Sequence, residues 1–286
     1  MLKLVLLTIL ALFSFAGNSV LCRMALTDEV IDAASFTSIR LFSGIVFLLF
    51  LVVIKTKEKM TIATGSWLSS LLLFLYAIAF SYAYLTLDTE TGALILFGAV
   101  QATMIMSGLL KGRQFLVIEW VGLLLALLGL VALLMPGAAA PSLTGFVLMA
   151  GSGIAWAFYT LAGKNSKNPL IDTANNFLRT LPFIAMTMLL TFSEIQISNK
   201  GILLAIASGA VMSGLGYAIW YSVLPSLTLT QAAILQLTVP IIAAVGGVLF
   251  SNEVITIKLI SSSILVLGGV LVVTVGRRYA EVFIKN

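Results

Sequence analysis

Gly92-Ala93-Leu94-Ile95 and Ala232-Ala233-Ile234-Leu235 stand 140 residues apart and match in side-chain size position by position. At the same offset Leu128-Gly129-Leu130 falls on Gly268-Gly269-Val270. Ile31-Asp32 falls on Ile171-Asp172 at that offset too, and Tyr76-Ala77-Ile78 on Tyr217-Ala218-Ile219 one residue from it. Arg40 and Arg179 lie one residue off that spacing, so small gaps separate the matched blocks. Each copy consists mainly of apolar runs long enough for a bilayer, which makes this a duplicated membrane unit.

Composition supports that reading. Hydrophobic residues make up 60% of the chain and charged residues 9%, against roughly 25% charged in a soluble domain. The surface therefore faces lipid. With no histidine, catalysis, metal ligation and proton relay by imidazole are excluded. The single cysteine, Cys22, makes neither an internal disulfide nor a zinc site and reads as a small apolar helix residue. Nucleotide, phosphate and metal motifs are absent, so no cofactor and no metal is expected. Gly214-Leu215-Gly216 lacks the strand-to-helix setting of a dinucleotide loop. The net charge of +5 sits in short loops, where it sets topology and is no sign of nucleic-acid binding.

A spanning helix needs ~20 apolar residues, and the runs supply ten. The first four cover about 4–22, 33–54, 67–87 and 91–110. The uncharged stretch 120–163 is too long for one helix and breaks at Met135-Pro136-Gly137 through Pro141, giving a fifth and a sixth. The seventh covers about 173–192 with Arg179 inside it. The stretch 201–252 is cut near Leu224-Pro225-Ser226 into an eighth and a ninth, and the tenth covers about 259–275. Continuous apolar runs exclude a β-barrel, whose strands would alternate. With the N-terminus in the cytoplasm, eleven Lys and Arg residues fall in inner segments and three in outer ones. Both termini are therefore expected inside. Five spans per copy carry the chain across the membrane, so the second copy starts from the opposite side. The expected fold is an all-α polytopic membrane protein with ten transmembrane helices as two inverted five-helix repeats, 1–138 and 139–286. That is the plan of a carrier working by alternating access.

The order of local patterns resembles the EamA-type members of the drug/metabolite transporter superfamily over nearly the whole chain. Its carriers are Asn18 in the first helix, Arg40 in Phe36-Thr37-Ser38-Ile39-Arg40-Leu41, and Ala155-Trp156-Ala157-Phe158-Tyr159 in the sixth helix. Gln236-Leu237-Thr238-Val239-Pro240 is similar to the family's proline segment, and Asn252-Glu253 to its Gly-Glu pair. Gly129 and Gly268-Gly269 match its small residues late in each copy. The first copy departs from the pattern, with Val100 in place of the proline and Arg113 in place of the glutamate. The resemblance implies a secondary transporter of small metabolites with a central cavity between the halves.

Arg40 and Arg179 are the sharpest candidates, since a charge within a helix costs roughly 2.5–3.5 kcal/mol on insertion scales. Each lies about eight residues, roughly 12 Å, from its predicted helix start. Each either contacts a substrate carboxylate, gates, or snorkels to the head groups. Asn18 either binds solute or ties two helices together. Tyr76 and Phe80, Trp156 and Tyr159, and Tyr217 and Tyr221 are aromatic pairs on the third, sixth and eighth helices. They either wall a cavity or pack the bundle. Gln101 and Gln236 are amides inside the fourth and ninth helices, and Gln236 shares a face with Pro240, where a carbonyl is freed. Asp88, Glu90 and Glu253 read as solvated carboxylates at helix ends or as a cation site at an outer vestibule, and Glu119 as a helix N-terminal charge.

The expected activity is transport, with export the expected direction, of a small organic metabolite such as an amino acid or amphiphilic compound. The alternatives are a passive facilitator and a non-transporting scaffold. A membrane-embedded enzyme is disfavoured because no acid–base pair lies at depth. The expected partners are the small-molecule solute, the lipid bilayer, and protons or a counter-solute. The chain is expected as a monomer or homodimer in the inner membrane. Cysteine labelling of intact cells should find residues 55–59 shielded and residues 88–90 reactive; the opposite pattern would invert the topology.

Overall fold

The structure, a computed structural model, describes residues 2–55, 64–110, 116–134, 141–164, 166–227, 232 and 235–284. The predicted breaker Met135-Pro136-Gly137, the expected repeat boundary at 138/139, and Lys57, Lys59, Lys111, Arg113 and Lys285 of the topology argument lie outside these residues. Every extended element described is helical: α1 (Leu2–Thr27), α2 (Ala33–Lys55), α3 (Trp67–Ala83), α4 (Thr89–Leu110), α5 (Val117–Leu134), α6 (Leu143–Gly163), α7 (Pro169–Leu178), α8 (Leu181–Leu190), α9 (Asn199–Ile206), a π-helical segment (Ala207–Leu215), α10 (Gly216–Val223), α11 (Val239–Ser251) and α12 (Ile257–Ile284). Among the described residues, Leu2–Thr27, Ala33–Lys55, Thr89–Leu110, Leu143–Gly163 and Asn199–Ser226 are long and apolar enough to cross a membrane. Trp67–Ala83, Val117–Gly129, Val239–Ser251 and Ile257–Val273 are shorter apolar helices. The outward faces are studded with large apolar side chains such as Phe42, Val46, Phe50, Leu189 and Leu249, an arrangement suited to lipid.

The seventh predicted helix is corrected. Arg179 does not lie inside a continuous helix; it is the C-cap residue of α7, and α8 starts two residues later. Pro182 supplies the cause, since its ring excludes the carbonyl four residues back and it has no N–H to give. The interrupted turn is closed locally: the Thr180 amide and hydroxyl both donate to the Phe177 carbonyl, at 2.9 and 2.6 Å. The chain leaves α10 through a tight turn at Leu224–Ser226, where the sequence places the cut. Helix α11 ends on Asn252 in the left-handed region (φ 52°), a geometry that Gly takes readily and Asn tolerates.

Packing interleaves the two parts of the chain. Helix α1 lies against α9, the π-helical segment, α10 and α11, while α6 lies against α3 and α4. Helix α2 crosses the π-helical segment and touches α7 and α9, and α5 runs along α12. Two of these contacts are backbone to backbone. A Cβ on Gly122 would collide with the Gly269 carbonyl oxygen, and one on Gly209 with the Arg40 carbonyl oxygen. Small residues at such crossings allow the close approach on which helix association in lipid depends.

Gly209→Ala is expected to reduce the monodisperse yield and lower the unfolding midpoint in detergent. Gly151→Ala, which meets open space, should do neither. Equal behaviour of the two variants would refute the close crossing of α2 over the π-helical segment.

Candidate functional site

Arg40 projects from α2 into the interior with 1% of its surface exposed. Its Nε donates to the Ser213 hydroxyl at 3.1 Å, and its Nη2 donates to the hydroxyls of Tyr76 and Tyr217, each at 3.1 Å. Tyr217 donates in turn to Tyr76 at 3.0 Å. The guanidinium carbon stands 5.4 Å from the centre of the Tyr76 ring and 5.0 Å from that of Phe80, within cation–π range. Asn18 of α1 joins through its Oδ1, which accepts from Ser208 at 2.8 Å and Ser213 at 3.2 Å. Four elements, α1, α2, α3 and the π-helical segment running into α10, thus meet in one buried polar knot.

The π-helical segment makes this meeting possible. In an α-helix, residues five apart point roughly 140° away from each other. Winding with i→i+5 hydrogen bonds stacks them on one face. Ser208 and Ser213 are five apart, and both reach the Asn18 Oδ1. Ser213 then bridges from Asn18 to Arg40.

An aromatic layer lies on the knot. Trp156 of α6 contacts Tyr76 and Tyr217 with ring centres 4.9 and 4.7 Å apart. Phe15 of α1 packs edge-on against Trp156, Tyr217 and Trp220. Tyr159, one turn along α6, touches Trp156 at 5.6 Å and stands perpendicular to Tyr221 at 5.6 Å. These two tyrosines also line a cavity of about 440 Å³ at one end of the bundle, together with Ser69, Asp172, Thr173 and Asn176. Beside that cavity the 64–66 turn is held by α7: Asn176 Oδ1 accepts from the Ser66 amide, and Asn175 donates to the Thr64 hydroxyl, both at 2.9 Å.

The other end is closed by main chain. Ile31 and Ile197 form an antiparallel bridge, with Asp32 N donating to Gln196 O and Ser198 N to Val30 O, each at 2.9 Å. The Gln196 amide donates to the Asp32 carboxylate at 3.0 Å, and Lys200 pairs with Asp28 at 2.6 Å. At this end Arg23 also pairs with Asp88 at 3.0 Å and reaches Glu253 at 3.5 Å. Glu253 accepts from the Thr89 amide and hydroxyl at 2.9 and 2.8 Å, capping α4. The solvated reading of Glu253 is therefore corrected: its side chain is largely covered and serves as a helix cap from a distant loop.

Of the residues singled out in the sequence, the structure gathers Asn18, Arg40, Tyr76, Phe80, Trp156 and Tyr217, and leads Tyr159 and Tyr221 from them to the cavity. It places three elsewhere. Arg179 sits at the α7–α8 break, donates to the Thr64 carbonyl at 2.9 Å and covers Trp67. Gln236 is fully buried but donates back to the Ala232 carbonyl of its own helical turn at 3.2 Å. Gln101 is buried on α4 and makes none of the knot's hydrogen bonds. The sequence reading misses Ser208, Ser213 and Phe15. Their one signal is a pair of serines flanked by glycines within an apolar run, and it acquires meaning only with the π winding.

Comparison with known proteins finds a likeness to membrane transporters over part of the chain. The model of the EamA-like transporter family matches residues 143–275. An uncharacterized protein of Pseudomonas aeruginosa is 48% identical over 272 residues, covering 95% of this chain and 94% of that one. An uncharacterized transporter of Archaeoglobus fulgidus is 27% identical over 177 residues, covering 59% and 62% of the two chains. A crystal structure of a protein at 16% identity superposes with a TM-score of 0.69 over 96% of this chain and 97% of its own, a likeness of fold.

Ser213→Ala would leave the Arg40 Nε–H buried without its acceptor, at a cost of roughly 1–3 kcal/mol. The unfolding midpoint should fall, while Ser261→Ala, on an exposed position, should leave it unchanged. Indistinguishable midpoints would show that Ser213 does not hold the knot together.

Proposed function

We propose that the chain is a secondary carrier of the drug/metabolite transporter superfamily, a reading supported by the match of residues 143–275 to the EamA-like transporter family. It moves a small organic metabolite across the inner membrane by alternating access, with both termini cytoplasmic and export as the net direction. The solute gradient, coupled protons or a counter-solute supply the energy. The working unit is a monomer or homodimer.

The observation that carries this reading is the buried knot itself. Its members come from both expected repeats, Asn18, Arg40 and Tyr76 from the first and Ser208, Ser213 and Tyr217 from the second. A site at the interface of two halves is where a rocking carrier needs one. The packing supports two inverted repeats, 1–138 and 139–286, forming ten spans. The first helix of each expected repeat lies on helices of the other: α1 on α9 to α11, and α6 on α3 and α4. Such an exchange of partners is what a two-fold relation would produce. The cavity lined by Tyr159 and Tyr221 opens beside Lys167, on the side the charge distribution assigns to the cytoplasm. The opposite end is shut by the Ile31–Ile197 bridge. On this reading the state described is closed to the outside.

Counterflow in proteoliposomes tests the proposal. Purified protein is reconstituted, loaded with a metabolite mixture, and assayed for uptake of labelled components. Trans-stimulated uptake of at least one solute is expected. Uptake without trans-stimulation would favour a passive facilitator, and no uptake of any component a scaffold.

A further inference from the structure

We infer that the transported solute is a small organic monoanion, a carboxylate with an apolar or aromatic body and no ammonium group, and that Arg40 is its anchor. This deepens the carrier reading and rests on it.

The inference starts from donors and acceptors. A guanidinium has five N–H groups. Three of those of Arg40 are occupied, and all three go to neutral hydroxyls. Nη1 is buried and has no hydrogen-bond partner, and no Asp or Glu is paired with Arg40 among the described residues. The ion pairs described lie at the closed end, at Arg23 and Lys200. One residue away in the network, Asn18 Nδ2 is also buried without an acceptor. The knot thus has donors in excess and one positive charge with no negative partner. Such a charge out of water is costly until something neutralises it.

The missing partner is defined by that deficit. It must accept hydrogen bonds, and a single negative charge balances the single guanidinium, whereas a dianion would leave a buried charge of opposite sign. An amino acid is a poor match, because no carboxylate of the knot would receive its ammonium. The rest of the solute is defined by the walls. Tyr76 and Phe80 turn their rings toward the guanidinium, and Trp156 and Phe15 pack behind Tyr76, aromatic surroundings suited to an apolar or planar body. Entry would be from the 440 Å³ cavity, whose lining Tyr159 touches both Tyr221 and Trp156.

The test uses the full chain in lipid nanodiscs, with binding read from tryptophan fluorescence and from the unfolding midpoint. The probes are acetate, hexanoate and phenylacetate, each beside its neutral amide, with phenethylamine and phenylalanine. Phenylacetate should bind tightest and at least about tenfold better than phenylacetamide, the loss expected for a charge-assisted contact. Phenethylamine should not compete. Arg40→Gln should equalise acid and amide, and Arg40→Lys should keep a weakened preference for the acid, which covers the case in which the glutamine variant does not fold. Equal binding of acid and amide by the natural chain, preference for the amine or the zwitterion, no binding of any carboxylate, or an acid preference unchanged in Arg40→Gln would each overturn the inference. Counterflow separates the two readings. Trans-stimulated exchange of a cation or neutral solute would keep the carrier and remove the anion, and Arg40-dependent binding of phenylacetate without counterflow of any solute would do the reverse.

Discussion

A guanidinium held away from water in the middle of a lipid-embedded bundle dictates what can surround it. Arg40 cannot shed its proton, and lipid offers it nothing. Every helix that passes near must therefore contribute an acceptor or a ring. Helix α3 supplies the Tyr76 hydroxyl and two ring faces, and α10 supplies Tyr217. The π-helical segment supplies Ser213, and α1 orients that serine through Asn18. The close backbone crossing at Gly209 belongs to the same constraint, since only with α2 pressed onto the segment does Ser213 come within reach of Nε.

These contacts are legible in the sequence to different depths, for physical reasons. An arginine, an asparagine or a tyrosine inside an apolar run stands out because burying it is expensive, so residue type and position alone single out Asn18, Arg40, Tyr76 and Tyr217. A serine does not stand out. It can satisfy itself on the carbonyl four residues back, as Ser14 and Ser81 do, and so carries no sign of a long-range role. The α-helical period also sets Ser208 and Ser213 on different faces, and the i→i+5 winding that aligns them leaves no mark in composition. The helical architecture is legible because lipid permits little else.

Where the reading misleads, a local interaction wins over a global pattern. Arg179 and Arg40 look equivalent by spacing, yet Pro182 breaks the helix beside Arg179 and turns it toward the 64–66 turn. Gln236 looks like a cavity amide by its position before Pro240. Its Nε2 donates to the Ala232 carbonyl, while its Oε1 is buried without a hydrogen-bond partner. Glu253 looks solvated because its partners, Arg23 and Thr89, are remote in sequence. The two expected copies therefore differ in their polar chemistry: the central cation comes from the first alone.

That asymmetry bears on how access would be exchanged. Helix α2 carries Arg40 in its first third, two turns in from its start at the closed end, where Asp32 both caps it through Ser35 and holds Gln196. Beyond its far end, the 64–66 turn is held by Asn175 and Asn176 of α7. One helix thus runs between two sets of ties, a main-chain bridge at one end and side-chain hydrogen bonds at the other, with the cation between them. Side-chain ties part without opening a backbone ladder, and they flank the cavity. The bridge at 31 and 197 takes more to separate. A neutralising solute at Arg40 would lower the cost of keeping the guanidinium buried while α2 shifts against the π-helical segment and the Ser213 contact lengthens. Solute binding and helix movement would then be coupled through one charge.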